Sequence, residues 1–467
     1  MMQYISTRGG AGKRGFEAVL LAGLAEDGGL FVPDRWPEFA PGLLESLACM
    51  PYAEAAVEIM LPFLEDCIDR ASFTALARDA YSRFDHQAVT PLAQLDQGNW
   101  LLELFHGPTL AFKDVALQLL GRLFDYVLAR NGRRVTVVGA TSGDTGSAAI
   151  EACRDRESVD IFILYPAGRT SDVQRKQMTT VPSANVHAIA IEGNFDDCQA
   201  LVKAMFADAP FRDGLSLAAV NSINWARIMA QIVYYVVSAV ALGAPARAVS
   251  FAVPTGNFGN VYAAYAARRM GLPIERLIVG TNSNDILARF FATSEMSKAA
   301  VIPTYSPSMD IQVSSNFERL LFEIAGRDPE AVKARMAEFQ ATGAFRVTNA
   351  MFAEIGGLFA ASAVDDEATK ATIADVYRRT GLVLDPHSAV GVTAARRLEK
   401  GSQAPVISLA CAHPAKFPEV VTAATRLHPA LPPHLADLFD RPERIVTLPN
   451  DLASVQAYVK ARARIFA

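Results

Sequence analysis

Two stretches of the chain repeat one design: "RVTVVGATSGDTGSAAIEAC" (134–153) and "AVSFAVPTGNFGNVYAAYAARR" (248–269). Each passes from an apolar, β-branched run through a glycine-rich turn into an alanine-rich helical pattern. An apolar run without polar alternation is a strand covered on both faces, which calls for a parallel sheet with helices on each side. Two such junctions, far apart in sequence, point to an α/β chain with two doubly wound sheets. "VDIFILYP", "VHAIAIEG" and "RLIVGTNSN" supply further strands of the same kind.

At 467 residues the chain is long enough for two or three domains. Residues 1–90 read as a mostly helical N-terminal domain, broken at proline-marked points such as "FVPDRWPEF" and "AVTPLAQL". Residues 134–214 form the small α/β domain, and 91–133 with 215–467 the large one. Residues 285–375 show helical patterns without clear strands and are read as an insertion. The longest apolar run, "IVYYVVSAVALGA", is too short for a bilayer of roughly 30 Å and is expected to be a core helix.

Composition removes several function classes. A net charge of -5 gives no basic field for nucleic acid, and no lysine- or arginine-rich run interleaves with aromatics. Five cysteines without a C-x-x-C pair fit a reducing cytoplasm rather than a disulfide scaffold, and seven histidines without ligand spacing predict no metal site. The N-terminus lacks the apolar core of a secretory signal, and no membrane partner is expected.

Helix starts after glycine turns favour anions, because unsatisfied N–H groups and the helix dipole converge there. Either loop alone is weak evidence, since parallel α/β folds carry glycine turns at these points. Neither matches G-x-x-x-x-G-K-[ST] or G-x-G-x-x-G, so nucleoside triphosphates and dinucleotides lose their main support. A third feature sharpens the reading. In "HGPTLAFKD" (106–114) a helix begins at Phe112, with Val115, Ala116, Leu119, Leu120, Leu123, Phe124 and Val127 on one face. Lys113 stacks in line with Leu117, Leu120 and Phe124 beside that face, while Asp114 takes the outer side. A lysine losing hydration tends to a lowered pKa, so it must be paired, reach solvent, or be there for its chemistry. Such a lysine, a phosphate cradle and a second anion site are what a pyridoxal 5'-phosphate enzyme needs.

"HGPTLAFKD", "TSGDTG", "NSINWARI", "PTGNFGN" and "LACAHPAKF" occur in an order that resembles the tryptophan-synthase-β-like (fold type II) pyridoxal-phosphate enzymes, and within them the long-form threonine synthases. "YISTRG" and "PSMDIQVSSNFERLLFE" are similar to the same subgroup, so the resemblance spans Tyr4 to "AHPAKFPE". It implies two α/β domains with the cofactor between them, a helical N-terminal domain, and conversion of O-phospho-L-homoserine and water to L-threonine and phosphate, the last step of threonine biosynthesis. It leaves monomer and homodimer both open. By family motif Lys113 is the catalytic lysine that carries the cofactor. Gly256, Asn257, Phe258, Gly259 and Asn260 hold the cofactor phosphate. Thr141, Ser142, Asp144 and Thr145 face the substrate carboxylate and the cofactor's phenolic oxygen, with Asp144 on the cofactor. Ser222 and Arg227 take the substrate phosphate.

Several residues keep two readings. Ser222 reads equally as a helix N-cap, and for Arg227 a surface arginine is the lesser alternative. Cys411 stands where the family usually has threonine or serine facing the pyridine nitrogen; a weak donor there leaves that nitrogen unprotonated, but cysteine is also a common core filler. Asp144, beside a phenolate, needs a shared proton or a nearby cation. His106 and His413 border turns, where proton shuttling and backbone bonding are both open. Asp385 and His387 read as a turn and helix cap, and Arg8 and Lys13 as surface charges.

Overall fold

The computed structural model describes residues 1–219, 222–399 and 403–464. The chain forms two compact units, Met1–His106 with Ser222–Pro429, and Gly107–Asn221 with Ala430–Ala467. In the first, six strands lie in the order Phe359–Ala363, Ile274–Thr281, Val249–Pro254, Val406–Ala410, Asn99–Glu103 and Leu92–Gln94. All neighbours pair in parallel except the last, a short antiparallel edge. The central strands Val249–Pro254 and Val406–Ala410 are buried along their whole length, as sequences apolar but for one serine each, Ser250 and Ser408, lead one to expect.

The N-terminal segment belongs to this unit. Tyr4–Ser6 pairs antiparallel with Phe31–Pro33, and the helix Tyr52–Met60 packs against Trp225–Ala241. That long helix contains most of "IVYYVVSAVALGA" and is buried over nearly all its length. Among the described residues no helix is long and apolar enough to cross a membrane. The segment 285–375 corrects its reading as strandless. Glu295–Ser297 pairs with Ala344–Arg346, and Phe359–Ala363 is the parallel edge strand of the main sheet. "FAASA" is short, alanine-rich and half-exposed, so it carries neither of the usual strand signals.

The second unit has five parallel strands in the order Val446–Pro449, Val186–Glu192, Val159–Pro166, Val135–Ala140 and Leu217–Ala219. Phe162, Leu164, Ile189 and Ile191 pack against Cys198, Leu201 and Met205 of the helix Phe195–Ala207 and Val455 and Val459 of Leu452–Lys460. The unit therefore takes in 107–133 and the C-terminal residues from 430, which the sequence reading assigned to the large domain, as it did residues 215–219 with the edge strand Leu217–Ala219. Backbone pairing of Val446–Pro449 along Val186–Glu192 accounts for the second difference.

Close packing of two helices accounts for the first. Lys113–Arg130 lies against Asp144–Cys153, and a Cβ on Gly121 would sit 2.2 Å from the Ala152 carbonyl oxygen. Gly121→Ala must push the helices apart and is expected to destabilise by about 1–3 kcal/mol, measured by urea unfolding. An unchanged midpoint would show that the helices separate freely. Unbroken burial from Lys113 to Phe124 also corrects the position of Asp114, which is 0% exposed. Its carboxylate accepts the Thr109 amide and hydroxyl, both at 2.7 Å, and so ties the "HGPTL" turn to the helix start.

Candidate active site

In the second unit the helix start fixes Lys113, whose side chain is buried (8% exposed) with Nζ 3.5 Å from Asp144 Oδ2. Asp144 opens its own helix, where the dipole favours a carboxylate. Lys113 is thus the cation that Asp144 needed. Gln174 Nε2 donates to Asp144 Oδ1 at 2.9 Å, and the Gln174 amide fills the space a Cβ on Gly143 (φ 142°) would take. Gln174 is held in turn by a reciprocal cap with Ser171. Sequence reasoning missed Gln174, although "SDVQ" carries the capping-box spacing that could have found it. Thr141 Oγ1 accepts from the amides of Gly143 (2.9 Å) and Gly146 (2.8 Å), which shapes the turn, while Ser142 is exposed and Thr145 half-buried at its open side.

In the first unit, "TGNFGN" lies between the strand Val249–Pro254 and the helix Gly259–Arg269. Phe258 is left-handed (φ 63°) and offers no side-chain cap, so the first-turn N–H groups of that helix point into the loop unsatisfied by a capping side chain. Asn260 is more telling. Its Oδ1 accepts the hydroxyls of Tyr234 and, at 2.7 Å, Tyr235, which fixes the amide orientation. Its Nδ2 is buried with no acceptor among the described residues. A buried donor without a partner calls for one, and a phosphate oxygen at a helix start meets that need. Gly256 is also close-packed: a Cβ there would lie 3.2 Å from Met309 Cα.

Asn224 caps the helix Trp225–Ala241 by accepting from Ala226 N at 3.0 Å, so Ser222 is not the cap. Asn221, first residue of "NSINWAR", lies outside the described residues. Arg227 is buried, which removes the surface reading, and burial pushes its guanidinium down to about 10. Cys411 is buried just past the strand Val406–Ala410, and its amide donates to Ser388 Oγ at 2.9 Å. Asp385 caps the helix Pro386–Leu398 through the His387 and Ser388 amides and accepts from the His387 ring at 2.8 Å. Arg8 is more than a surface charge, since Nε and Nη2 reach buried Glu318 at 3.0 and 2.8 Å. Lys13 is exposed, 2.9 Å from Asp34.

His106 contacts Glu103 at 2.8 Å and Asp85 at 3.1 Å. Burial lowers its pKa, but the two carboxylates outweigh burial and leave it raised. His413 is pushed down to about 4, first by burial and then by His106. Its Nδ1 accepts from Ala415 N at 3.2 Å, a cap that only the neutral ring can make. A folded pKa below the unfolded value means the unfolded chain binds more protons in between, so stability falls as pH drops from about 6.5 toward 4. His413→Asn keeps an acceptor and removes that titration. It is expected to flatten the acid limb of stability against pH in urea unfolding; an unaltered limb would place the acid sensitivity elsewhere.

The sites lie in both units: Lys113, Thr141, Ser142, Asp144 and Thr145 in one, Ser222, Arg227, residues 256–260 and Cys411 in the other. Residues 84–340 match the family of pyridoxal-phosphate-dependent enzymes, which sets the class. Residues 3–81 match the threonine synthase N terminus and 388–459 the threonine synthase C-terminal family. A threonine synthase of Pseudomonas aeruginosa is 57% identical over 98% of both chains, and that of Saccharomyces cerevisiae 43% over 90% of this chain and 88% of its own. The crystal structure of a PLP-bound threonine synthase from Brucella melitensis superposes with a TM-score of 0.97 at 54% identity, covering 99% of this chain and 100% of the other. The chain belongs to the threonine synthase family, and its cofactor is pyridoxal 5'-phosphate.

Proposed function

We propose that Lys113 is the residue on which this family's reaction turns here: O-phospho-L-homoserine and water become L-threonine and phosphate. The observation that carries this is the buried Lys113–Asp144 pair, formed by two helix starts. The bound cofactor supplies an electron sink for charge developing next to the substrate nitrogen. Lys113 holds the cofactor at rest and moves protons at the substrate α and β carbons, while phosphate leaves Cγ and water adds at Cβ. Asp144, steadied by Gln174, sets the charge beside Lys113.

Asn260 Nδ2 and the amides of 256–260 hold the cofactor phosphate. Arg227, with Ser222, meets the phosphate of the substrate, a fixed and dehydrated donor for the charge that the leaving group carries away. Thr141 holds its turn closed so that Ser142, Thr145 and the helix start present donors to the substrate carboxylate. Cys411, whose amide donates to Ser388 Oγ, would meet the ring nitrogen as a weak donor. The sequence motifs support each assignment except that of Cys411, which departs from the family's threonine or serine at that position. The chain works in the cytoplasm as a monomer or homodimer on a small molecule; its net charge of -5 supports the reading that it works without nucleic acid.

The test measures phosphate and threonine released from O-phospho-L-homoserine in one tube. Equal amounts support the reading. Phosphate with 2-oxobutyrate and ammonia instead of threonine would make the chain a related lyase.

A further inference from the structure

"PSMDIQVSSNFERLLFE" resembles the family without a role of its own, and its centre is a buried polar knot. Asn316, fully buried, donates through Nδ2 to the Asn257 carbonyl and to the Ser222 carbonyl, both at 3.1 Å, and its own amide donates to the Asn257 carbonyl at 3.1 Å. Ser314 Oγ donates to the Gly256 carbonyl at 2.7 Å. Arg319, buried too, donates to Asn316 Oδ1 and thereby fixes which way the amide faces. The same guanidinium donates to the Ile223 carbonyl at 2.5 Å and the Phe31 carbonyl at 3.0 Å.

In a trans peptide the C=O and the following N–H point in opposite directions. Holding the carbonyls of Gly256, Asn257 and Ser222 therefore turns the N–H groups of Asn257, Phe258 and Ile223 away from the knot. Successive N–H groups aimed one way make a concavity for an anion. We propose that Asn316, braced by Arg319 and assisted by Ser314, is a positioning residue that presets the peptide donors of both phosphate sites, that of the cofactor at 256–260 and that of the substrate at 222–227. This rests on the assignment of those two segments proposed above. Asn316 touches neither phosphate. One amide side chain spans both segments, so its loss loosens both together.

The test uses Asn316→Ala, with cofactor affinity measured by titrating the apoenzyme and inorganic phosphate measured as an inhibitor against phosphohomoserine. Both are expected to weaken by about tenfold, the effect of one or two lost hydrogen bonds. Glu318→Gln is the control. Glu318 lies two residues further on, in the helix Phe317–Ile324, but binds Thr7 and Arg8, so this variant is expected to lower Tm and leave both affinities in place. If Asn316→Ala lowers Tm and moves neither affinity, the residue is only structural and the proposal fails. Should that variant not fold, Ser314→Ala keeps the question open to measurement: it touches the Gly256 carbonyl alone and is expected to weaken cofactor binding and spare phosphate inhibition. No change, or a change only in phosphate inhibition, would overturn the idea. Asn260→Ala separates the two layers. Weakened cofactor binding there with none in Asn316→Ala defeats the brace alone, whereas no weakening in either defeats the assignment of the loop.

Discussion

Lys113→Ala is expected to abolish turnover of O-phospho-L-homoserine, with a fall of at least about a thousandfold, and to remove the visible absorption of the lysine-bound cofactor. Two effects act together. The amine that moves protons is gone, and Asp144 loses its cation while staying buried. Breaking a buried ion pair from one side costs about 3–5 kcal/mol, so this variant also unfolds earlier. Lys113→Arg separates the effects. Arginine stays protonated, so it preserves the charge beside Asp144 without supplying a base. It is expected to match the alanine variant in rate and, with both proteins free of cofactor, the parent in Tm. Turnover and an unaltered visible spectrum in Lys113→Ala would remove the lysine from the mechanism.

Parts of this arrangement were legible in the sequence because their signals are local. Unbroken apolar strands ending in glycine turns gave away both sheets, and the helix wheel marked Lys113 as unusual. The wheel misplaced Asp114 because periodicity assumes one wet face, and the helix Lys113–Arg130 has none over its first twelve residues, Lys113 to Phe124. Asp114 is instead accommodated by Thr109, only five residues away, in a turn that no wheel describes. Gln174 was missed because its contact with Asp144 spans thirty residues and depends on a glycine leaving room. The same holds for Asn316, whose carbonyl partners lie 59 and 94 residues away. Such contacts follow from which loops the sheet order brings together, and strand order is not written in any one segment. Boundaries failed for a related reason. The C-terminal strand Val446–Pro449 joins a sheet whose other members all precede residue 220.

Arg227→Met is expected to lower kcat/KM for O-phospho-L-homoserine by roughly 30-fold to several thousandfold, the range for removing one partner of a buried charge pair. The argument starts from cost. Burial lowers the Arg227 pKa to about 10, so at neutral pH the side chain remains a cation that burial penalises. Tyr234, one of its electrostatic neighbours on the same helix, is neutral under those conditions because burial raises its pKa well above the usual value. A cation kept in such surroundings gains most from a dianionic phosphate arriving from solution, and its fork matches two phosphate oxygens at once. Methionine fills much of the volume without the charge, so the variant is expected to fold and bind cofactor as before while phosphate inhibition weakens. Arg227→Lys restores the charge and not the fork, and should recover only part of the loss. Steady-state kinetics with phosphate as competitor decide the matter. If Arg227→Met stays within about threefold of the parent in both kcat/KM and phosphate inhibition, the substrate phosphate is bound elsewhere.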